Sequence, residues 1–299
     1  MHKYWGFGLN IASDIEFPEL LKTNFETSDV NFTAGKVPVA IEGNTVCTQQ
    51  FSYQINDQEL LFTAHNVAKY YALEGNRVVI EPFKYGDDSR EVRLYVLATV
   101  AAFILFQRSL LPFHASAIQN NGGLVLIAGD SRAGKSTSLA GLLKRGYTVF
   151  SDDVVVLQQE QGKSLAKASY PMVKLWNDTL VKMNHPMFED RSFRIQNDID
   201  KYGHFFHDRF DKNSYPVKKV FILKVGNCLE LTSQILNGRK AFDALIMQIY
   251  RPMLIQNNTQ RLMCFTLVTD IIKNGSIIEI SRPVECDPED LINYIESLL

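Results

Sequence analysis

An eight-residue segment near the middle of the chain, residues 129–136, limits the fold more than any other part of the sequence. It reads GDSRAGKS and fits the pattern G-x-x-x-x-G-K-[ST] at every fixed position. The apolar run at residues 124–128 predicts a strand covered on both faces, and residues 136–144 predict a helix that ends at Gly146. A buried strand, a glycine-containing turn and a helix therefore follow one another, which indicates an α/β fold.

The residue types in this segment suit a bound polyphosphate. Backbone N–H groups of the turn and the positive end of the next helix form a nest for phosphate oxygens, which glycine lets the backbone approach closely. We predict that Lys135 faces the β- and γ-phosphates and that the Ser136 hydroxyl ligates Mg²⁺. No guanine-selective motif is present, so ATP is the default nucleotide. The alternative is a glycine-rich strand-to-helix turn with an exposed lysine. The predicted nucleotide-binding residues are Gly129, Asp130, Ser131, Arg132, Ala133, Gly134, Lys135, Ser136 and Thr137.

Two adjacent acids follow the next predicted strand. The apolar residues 147–150 are followed by Ser151, Asp152 and Asp153. Because the carboxyl ends of strands in a parallel sheet meet at the ligand-binding edge, we expect both carboxylates near the phosphate loop. One acid at such a centre holds the metal, directly or through water, and the other orients a substrate hydroxyl and accepts its proton. The alternative is a solvated pair of turn-forming aspartates.

A histidine precedes the loop strand along the chain. His114 begins a predicted strand at residues 114–118, and the turn at residues 120–123 connects that strand to the apolar run. Taken alone, His114 is either a packed or exposed structural residue or a catalytic, phosphate-contacting one. The residues themselves leave both interpretations open.

The histidine, the phosphate loop and the acid pair together resemble the HPr kinase/phosphorylase family. The resemblance rests on His114 and on residues 127–136, 142–146 and 151–153, and it extends to Leu157. It implies an α/β fold with the compact phosphate-loop core shared by HPr kinases and phosphoenolpyruvate carboxykinases. A β-rich N-terminal domain and C-terminal helices would flank that core.

The resemblance also implies roles for individual residues. Lys135 and Ser136 would serve ATP and Mg²⁺. Asp153 would be the general base toward a serine hydroxyl, and Asp152 would lie close to the metal. His114 would line the phosphate site. These roles imply an ATP-dependent serine kinase.

The sequence departs from the family pattern in ways that bear on the substrate. Arg132 stands where the family usually has glycine, and it would either reach a phosphate or point to solvent. The glycine-rich segment with Glu and Arg that serves phosphorolysis is replaced by residues 170–178. Ser13, Asp14 and residues 17–20 are similar to divergent HPr-kinase-related proteins, which include kinases of lasso precursor peptides. The predicted acceptor is therefore a serine on a peptide or small protein.

Predicted elements divide the chain into two domains. Residues 1–88 contain short strands and turns and form a β-rich domain, with strands at residues 51–55, 60–64, 70–73 and 77–80. Residues 89–299 form the phosphate-loop domain, which begins with a helix at residues 89–107 and ends with helices at residues 240–250, 260–273 and 288–298. Residues 184–215 show no clear period and are expected to form a long loop near the site.

Composition limits the partners. The 299 residues carry a net charge of −2, which offers no general attraction for nucleic acid or anionic lipid. No apolar run reaches the roughly 20 residues that span a bilayer. The four cysteines are far apart, which disfavours a zinc site and predicts buried, reduced thiols. We expect a cytoplasmic protein with no membrane or nucleic-acid partner, for which a homo-oligomer stays open.

Weaker signals and rival functions also stay open. His204 and His207 have the i, i+3 spacing of metal ligands, but without a third ligand no metal is predicted there. Arg251 is either a phosphate clamp or a helix-capping cation. Rival functions are a small-metabolite kinase on the same centre and a nucleotide-dependent switch without turnover. The segment after residue 184 is either a loop that closes on ATP or binds an acidic peptide, or a solvated polar loop. Its cations are Arg191, Arg194, Lys201, Arg209 and Lys212.

Overall fold

The structure is a computed structural model that describes residues 1–84, 90–183, 188–196 and 199–299. The chain divides into two compact units, the first formed by residues 1–112 and 251–263 and the second by residues 113–250 and 264–299. This division differs from the predicted boundary after residue 88. The reason is that the helical segment after residue 90 packs on the first unit, where the Tyr70 hydroxyl donates to the Val92 carbonyl at 3.0 Å.

The first unit is built on a sheet that is antiparallel except around its fourth strand. Its strands are β1 (His2–Gly6), β2 (Leu9–Ser13), β3 (Leu21–Lys22), β4 (Val30–Ala34), β5 (Asn44–Cys47), β6 (Phe51–Ile55), β7 (Glu59–Ala64), β8 (Ala68–Leu73) and β9 (Arg77–Pro82). They lie in the order β3-β1-β2-β4-β9-β8-β7-β6-β5, and β4 pairs in parallel with both β2 and β9. The strands predicted from β6 to β9 are confirmed. The two-residue β3 and the exposed β5 were missed, and so was β4, a five-residue strand that is partly buried.

A continuous apolar helix covers this sheet. It consists of α1 (Arg90–Tyr95), a π-helical turn (Val96–Val100) and α2 (Ala101–Gln107), which confirms the helix expected at residues 89–107. Phe103 and Phe106 are fully buried, and the Phe62 and Tyr95 rings lie 5.7 Å apart. Residue 89, the first of the expected helix, lies outside the described residues.

The second unit is built on a mixed sheet and a small additional sheet. After β10 (Leu111–Phe113), which spans the boundary between the units, its strands are β11 (Ala115–Asn120), β12 (Gly123–Gly129), β13 (Thr148–Ser151), β14 (Val155–Glu160), β15 (Lys163–Ala168), β16 (Met172–Trp176), β17 (Arg194–Gln196), β18 (Ile199–Phe205), β19 (Tyr215–Gly226), β20 (Thr232–Leu236) and β21 (Ser276–Pro283). The main sheet contains the path β13-β11-β12-β19-β21-β20, and the β14–β15 hairpin joins the start of β19.

Strand directions correct one premise of the sequence analysis. β12, β19 and β21 are parallel, but β11 lies antiparallel between β12 and β13. The β11–β12 connection is tight because Asn121 and Gly122 both adopt the positive φ that a two-residue hairpin of this type requires. Two reversals restore the direction, so β13 runs the same way as β12 and its carboxyl end lies at the same edge. The sheet is mixed, yet the expected edge is the one observed.

The predicted loop at residues 184–215 is wrong in the part that the structure describes. β18 pairs with both β16 and β17, and a 3₁₀ turn (His207–Arg209) follows. Few side chains of β18 are buried, so its sequence lacks the apolar alternation that announces a strand. Residues 184–187 and 197–198 of the predicted loop lie outside the described residues.

The described residues after β12 include five α-helices, of which the first packs against β11 and β12 of the main sheet and the second against β16 and β18 of the small sheet. They are α3 (Lys135–Lys144), α4 (Asn177–Met183), α5 (Gly238–Ile246), α6 (Asn258–Asn274), which extends from the first unit into the second, and α7 (Pro288–Ser297); a 3₁₀ turn (Pro252–Leu254) precedes α6. α3 and α7 approach closely, since a Cβ at Gly141 would lie 2.1 Å from Ile292 Cδ1. The expected C-terminal helices are present, and β21 lies between the last two, where it enters the main sheet.

Two further expectations concern the whole described chain. No helix in residues 1–84, 90–183, 188–196 or 199–299 has the length and apolar character to cross a bilayer. All four cysteines are free thiols, as expected. Only Cys264 is buried, however, and Cys47 is exposed, so the expectation of buried thiols is wrong in part.

The first unit contains a buried ion pair, and a substitution that breaks this pair tests its contribution to the stability of the unit. Arg93 Nε donates to both carboxylate oxygens of Glu19 at 2.9 and 3.0 Å, and both side chains are 4% exposed. We expect Arg93→Met to destabilise the unit by about 3–5 kcal/mol, because the carboxylate loses its countercharge in a buried place. Urea denaturation measures this through Trp5 fluorescence in a Trp176→Phe background.

The exposed pair between Lys22 and Glu16 in the same unit provides the control. Its two side chains are 70% and 58% exposed. Glu16→Gln should leave the unfolding midpoint unchanged, because solvent screens such pairs. Equal midpoints for Arg93→Met and the parent protein would contradict the role given to the buried pair.

Candidate nucleotide-binding site

The turn between β12 and α3 depends on two glycines with positive φ. Gly129 has a φ of 136°, and a Cβ there would lie 2.4 Å from the carbonyl oxygen of Leu223 on β19. Gly134 has a φ of 115° and caps the start of α3. Both positions therefore require glycine, the first because of the neighbouring strand and the second because of backbone conformation.

Residues distant in sequence hold the turn from outside. Arg282, at the end of β21, donates from Nε to the carbonyl of Ala133 at 2.8 Å and from Nη2 to that of Arg132 at 3.0 Å. Because a trans peptide points its C=O and the following N–H in opposite directions, the N–H of Gly134 points away from Arg282. Gln248 Oε1 accepts from the N–H of Gly129 at 3.0 Å.

Lys135 lies folded across the turn. Its Nζ donates to the carbonyls of Gly129 at 2.7 Å and Asp130 at 2.9 Å, and the residue is 8% exposed. Burial lowers the pKa of Lys135, while the charges of Asp153 and Asp152 oppose that effect. A phosphate oxygen can replace one of the two carbonyls, so the ammonium is placed to bind an anion at this turn.

Ser136 and Asp152 form the oxygen pair expected of a magnesium site. The Ser136 hydroxyl donates to Oδ1 of Asp152 at 3.1 Å, and the Ser116 hydroxyl donates to the same atom at 2.6 Å. The backbone N–H of Lys174 donates to Oδ2 at 2.9 Å, and Asp152 is 1% exposed. Hydroxyl and carboxylate oxygens are the donors that Mg²⁺ prefers, usually with substrate phosphates and waters as further ligands.

Two protein oxygens suit Mg²⁺, which takes its other ligands from water and substrate phosphates, better than a metal whose ligands all come from protein side chains. In the part of the chain that the structure describes, no group of three or more His, Cys, Asp or Glu could hold an ion. His204, one of the two weak metal candidates, instead packs edge-on against the Phe188 ring at 5.4 Å.

Asp153 has different partners from Asp152. It has a φ of 69°, and its Oδ2 accepts from Lys174 Nζ at 2.7 Å. Its side chain is 23% exposed, so solvent reaches it. Burial alone would raise the pKa of Asp153, but Lys174, Lys201 and His114 outweigh that effect and hold it well below its usual value. The carboxylate is therefore ionised at neutral pH.

His114 adjoins this carboxylate from the residue before β11. Its Nδ1 donates to the backbone carbonyl of Asp153 at 2.9 Å and lies 3.7 Å from Oδ1. Because a carbonyl only accepts, Nδ1 carries the proton and Nε2 is the acceptor nitrogen. Burial is the main cause that lowers the pKa of His114, so the ring is neutral at pH 7. The structure brings His114 to the acid pair.

Two cations lie against Trp176. The Arg132 guanidinium is 5.3 Å and Lys201 Nζ is 5.5 Å from the Trp176 rings. Arg132 therefore does not point only to solvent, which was one of the two options considered from sequence. Of the remaining predicted cations, Arg191 stacks on Tyr202 at 5.6 Å.

Other predicted residues lie as follows. Asp130 and Ser131 are exposed in the turn, whose Asp130 carbonyl accepts from the N–H of Ala133 at 3.1 Å. The Thr137 hydroxyl pairs with that of Thr179 at 3.2 Å. Arg251 belongs to the first unit, where its charge acts on Tyr95.

Four residues at the site escaped the sequence analysis. They are Ser116, Lys174, Gln248 and Arg282, which contact Asp152, Asp153, Gly129 and the turn carbonyls. Lys174 carried a usable signal, because it is the only charged residue in the apolar strand Met172–Trp176. The other three are ordinary polar residues that only the fold brings to the site.

Comparisons with known proteins give little beyond this geometry. No protein-family model and no curated protein matches the chain. Among solved structures it matches that of the Hpr(Ser) kinase/phosphatase from Coxiella burnetii, at 17% identity over 62% of this chain and 87% of that chain. The TM-score is 0.32, which is too low to support a conclusion on fold or function.

The Gly129 position is tested by adding one methyl group. We expect Gly129→Ala to lower stability by about 1–3 kcal/mol, because alanine at this φ is strained and its Cβ meets the Leu223 carbonyl. Differential scanning calorimetry of the full chain measures the change. Gly226→Ala, on β19 with nothing within 4 Å of the added Cβ, is the matched control. A drop of equal size in both variants would show that the close approach at Gly129 is not the cause.

Proposed function

We propose that the protein is an ATP- and Mg²⁺-dependent kinase that transfers the γ-phosphoryl group to a serine hydroxyl of a peptide or small protein. The observation that carries the proposal is that two adjacent aspartates lie in different surroundings. Asp152 is buried against the Ser136 hydroxyl of the glycine-rich turn. Asp153, the next residue, presents a separate and partly exposed carboxylate.

The turn supplies the phosphate side of the reaction. The backbone of residues 129–134, the positive end of α3 and the Lys135 ammonium offer a site for the β- and γ-phosphates. Ser136 would contact Mg²⁺, with Asp152 behind it, and the bound ion supplies neutralisation of charge on the leaving phosphate. Because Asp152 already accepts hydrogen bonds at both oxygens, its part is to orient the Ser136 hydroxyl or a water on the metal.

Asp153 supplies the acceptor side. Its carboxylate accepts a hydrogen bond from the substrate hydroxyl and points the oxygen at the γ-phosphorus. The new bond joins the serine oxygen to that phosphorus while the bond to the ADP oxygen breaks, and the serine proton passes to Asp153 and then to water. A carboxylate with a lowered pKa is a weak base, so orientation matters most and the proton moves late in a loose transition state.

The main test is phosphorylation of serine-containing peptides. The full-length protein is incubated with ATP, Mg²⁺ and an arrayed peptide library in which each peptide has a Ser→Ala counterpart, and products are read by mass spectrometry. We expect a gain of one phosphoryl unit on serine peptides and none on their alanine partners. ATP consumption that depends on a small alcohol and not on any peptide would replace the peptide acceptor by a metabolite. Nucleotide binding without any turnover would overturn the kinase.

A second test separates transfer from binding. We expect Asp153→Asn to lower the transfer rate by about 10²–10⁴-fold, because the amide neither accepts the proton nor carries the charge. ATP affinity by isothermal titration calorimetry should change by less than about twofold, since Asp153 acts on the acceptor. Asp200→Asn, an exposed carboxylate paired with Arg194 at 3.7 Å, is the control. A parallel loss of ATP affinity in Asp153→Asn would refute the role given to this residue.

A further inference from the structure

Lys174 is a charged residue whose side chain is almost completely shielded from solvent. It lies at the centre of β16 between Val173 and Leu175, and its side chain is 6% exposed. Removing an ammonium group from water costs several kcal/mol unless a partner of opposite charge offsets it. A lysine at this position therefore requires a fixed anion beside it, and Asp153 is that anion.

One residue contacts both aspartates in two different ways. The Lys174 backbone N–H donates to Asp152 Oδ2 at 2.9 Å, and its Nζ donates to Asp153 Oδ2 at 2.7 Å. The first contact is part of a strand and cannot swing away. The second is made by a buried side chain whose ammonium also lies 5.5 Å from the Tyr170 ring. The separation and orientation of the two carboxylates are thus tied to β16.

We propose that Lys174 is a positioning residue of the transfer reaction, which fixes the Asp153 carboxylate against Asp152 and leaves Oδ1 as the oxygen that receives the acceptor hydroxyl. This inference rests on the proposed kinase function. Oδ2 is already bonded to Nζ, whereas Oδ1 has His114 Nδ1 at 3.7 Å, beyond hydrogen-bonding distance. Lys174 stays protonated while the hydroxyl proton passes to Oδ1 and then to water.

The charges around this pair support the assignment. Burial lowers the pKa of Lys174, but Asp153 and the hydroxyls of Tyr170 and Tyr250 outweigh it and raise the pKa well above the usual value. Asp153 is correspondingly held ionised. The titratable groups that face the two charges are His114, Lys135, Asp152, Tyr170, Lys201 and Tyr250.

The first readout measures Asp153 directly. Carboxyl ¹³C NMR titration of the full chain, with the signal assigned by Asp153→Asn, gives its pKa in the parent protein and in Lys174→Met and Lys174→Arg. We expect titration well below the reference of about 3.9 in the parent, a marked rise in Lys174→Met and a value near the parent's in Lys174→Arg. Lys201→Met removes a nearby cation without removing a hydrogen bond to either aspartate, so its rise should be smaller.

Kinetics provide the second readout. With a serine peptide as acceptor, Lys174→Met should lower kcat by about 100-fold through misplacement of Asp153, with ATP affinity unchanged, and Lys174→Arg should recover part of the loss. An unchanged kcat in Lys174→Met, or a loss in Lys174→Arg as large as that in Lys174→Met, would overturn the inference. If Lys174→Met does not fold, Lys174→Arg decides the question, because a loss of kcat as large as that of Asp153→Asn would overturn the inference. If the parent protein phosphorylates no acceptor, the proposed function fails, while the titration still decides whether Lys174 holds Asp153.

Discussion

The candidate site of the second unit depends on the buried carboxylate of Asp152. It accepts hydrogen bonds from Ser116 on β11, Ser136 on α3 and the backbone of Lys174 on β16. Three separate elements are therefore oriented by one side chain at the end of β13. A buried anion with this many donors is rigid, because each lost bond would leave a polar group unsatisfied.

Further hydrogen bonds hold the backbone of the glycine-rich turn in place. Arg282 donates to two carbonyls of the turn. The side-chain oxygen of Gln248 accepts from the N–H of Gly129, and the backbone carbonyl of Gln248 accepts from the N–H of His114 at 2.7 Å. Gln248 thus links the histidine to the start of the phosphate turn. Such a framework fixes its donors before any ligand binds, which is the preorganisation that the proposed phosphoryl transfer requires.

Sequence reasoning found the parts of this centre that are local in the chain. The turn, its strand and helix, and the acid pair are contiguous patterns, so Gly129, Lys135, Ser136, Asp152 and Asp153 could be chosen before any fold was known. The edge at which they meet was predicted from a parallel sheet, although β11 runs antiparallel. That prediction succeeded because two reversals return β13 to the direction of β12.

What sequence reasoning missed depends on distance along the chain or on an unusual pattern. Arg282 lies 149 positions after Ala133, and nothing near it suggests a turn to support. β18 was taken for a loop because its mixed exposure hides the period of a strand. Lys174 is not among the predicted site residues, although a lone charge among apolar residues indicates a buried partner.

The late position of β21 has a consequence for how the protein is made. β21 pairs with β19 in the main sheet, and its Arg282 is the residue that grips the turn carbonyls. A ribosome releases the glycine-rich turn long before this strand, so during synthesis the turn is present without its clamp. The turn therefore acquires its clamp only after β21 has been synthesised and has paired with β19.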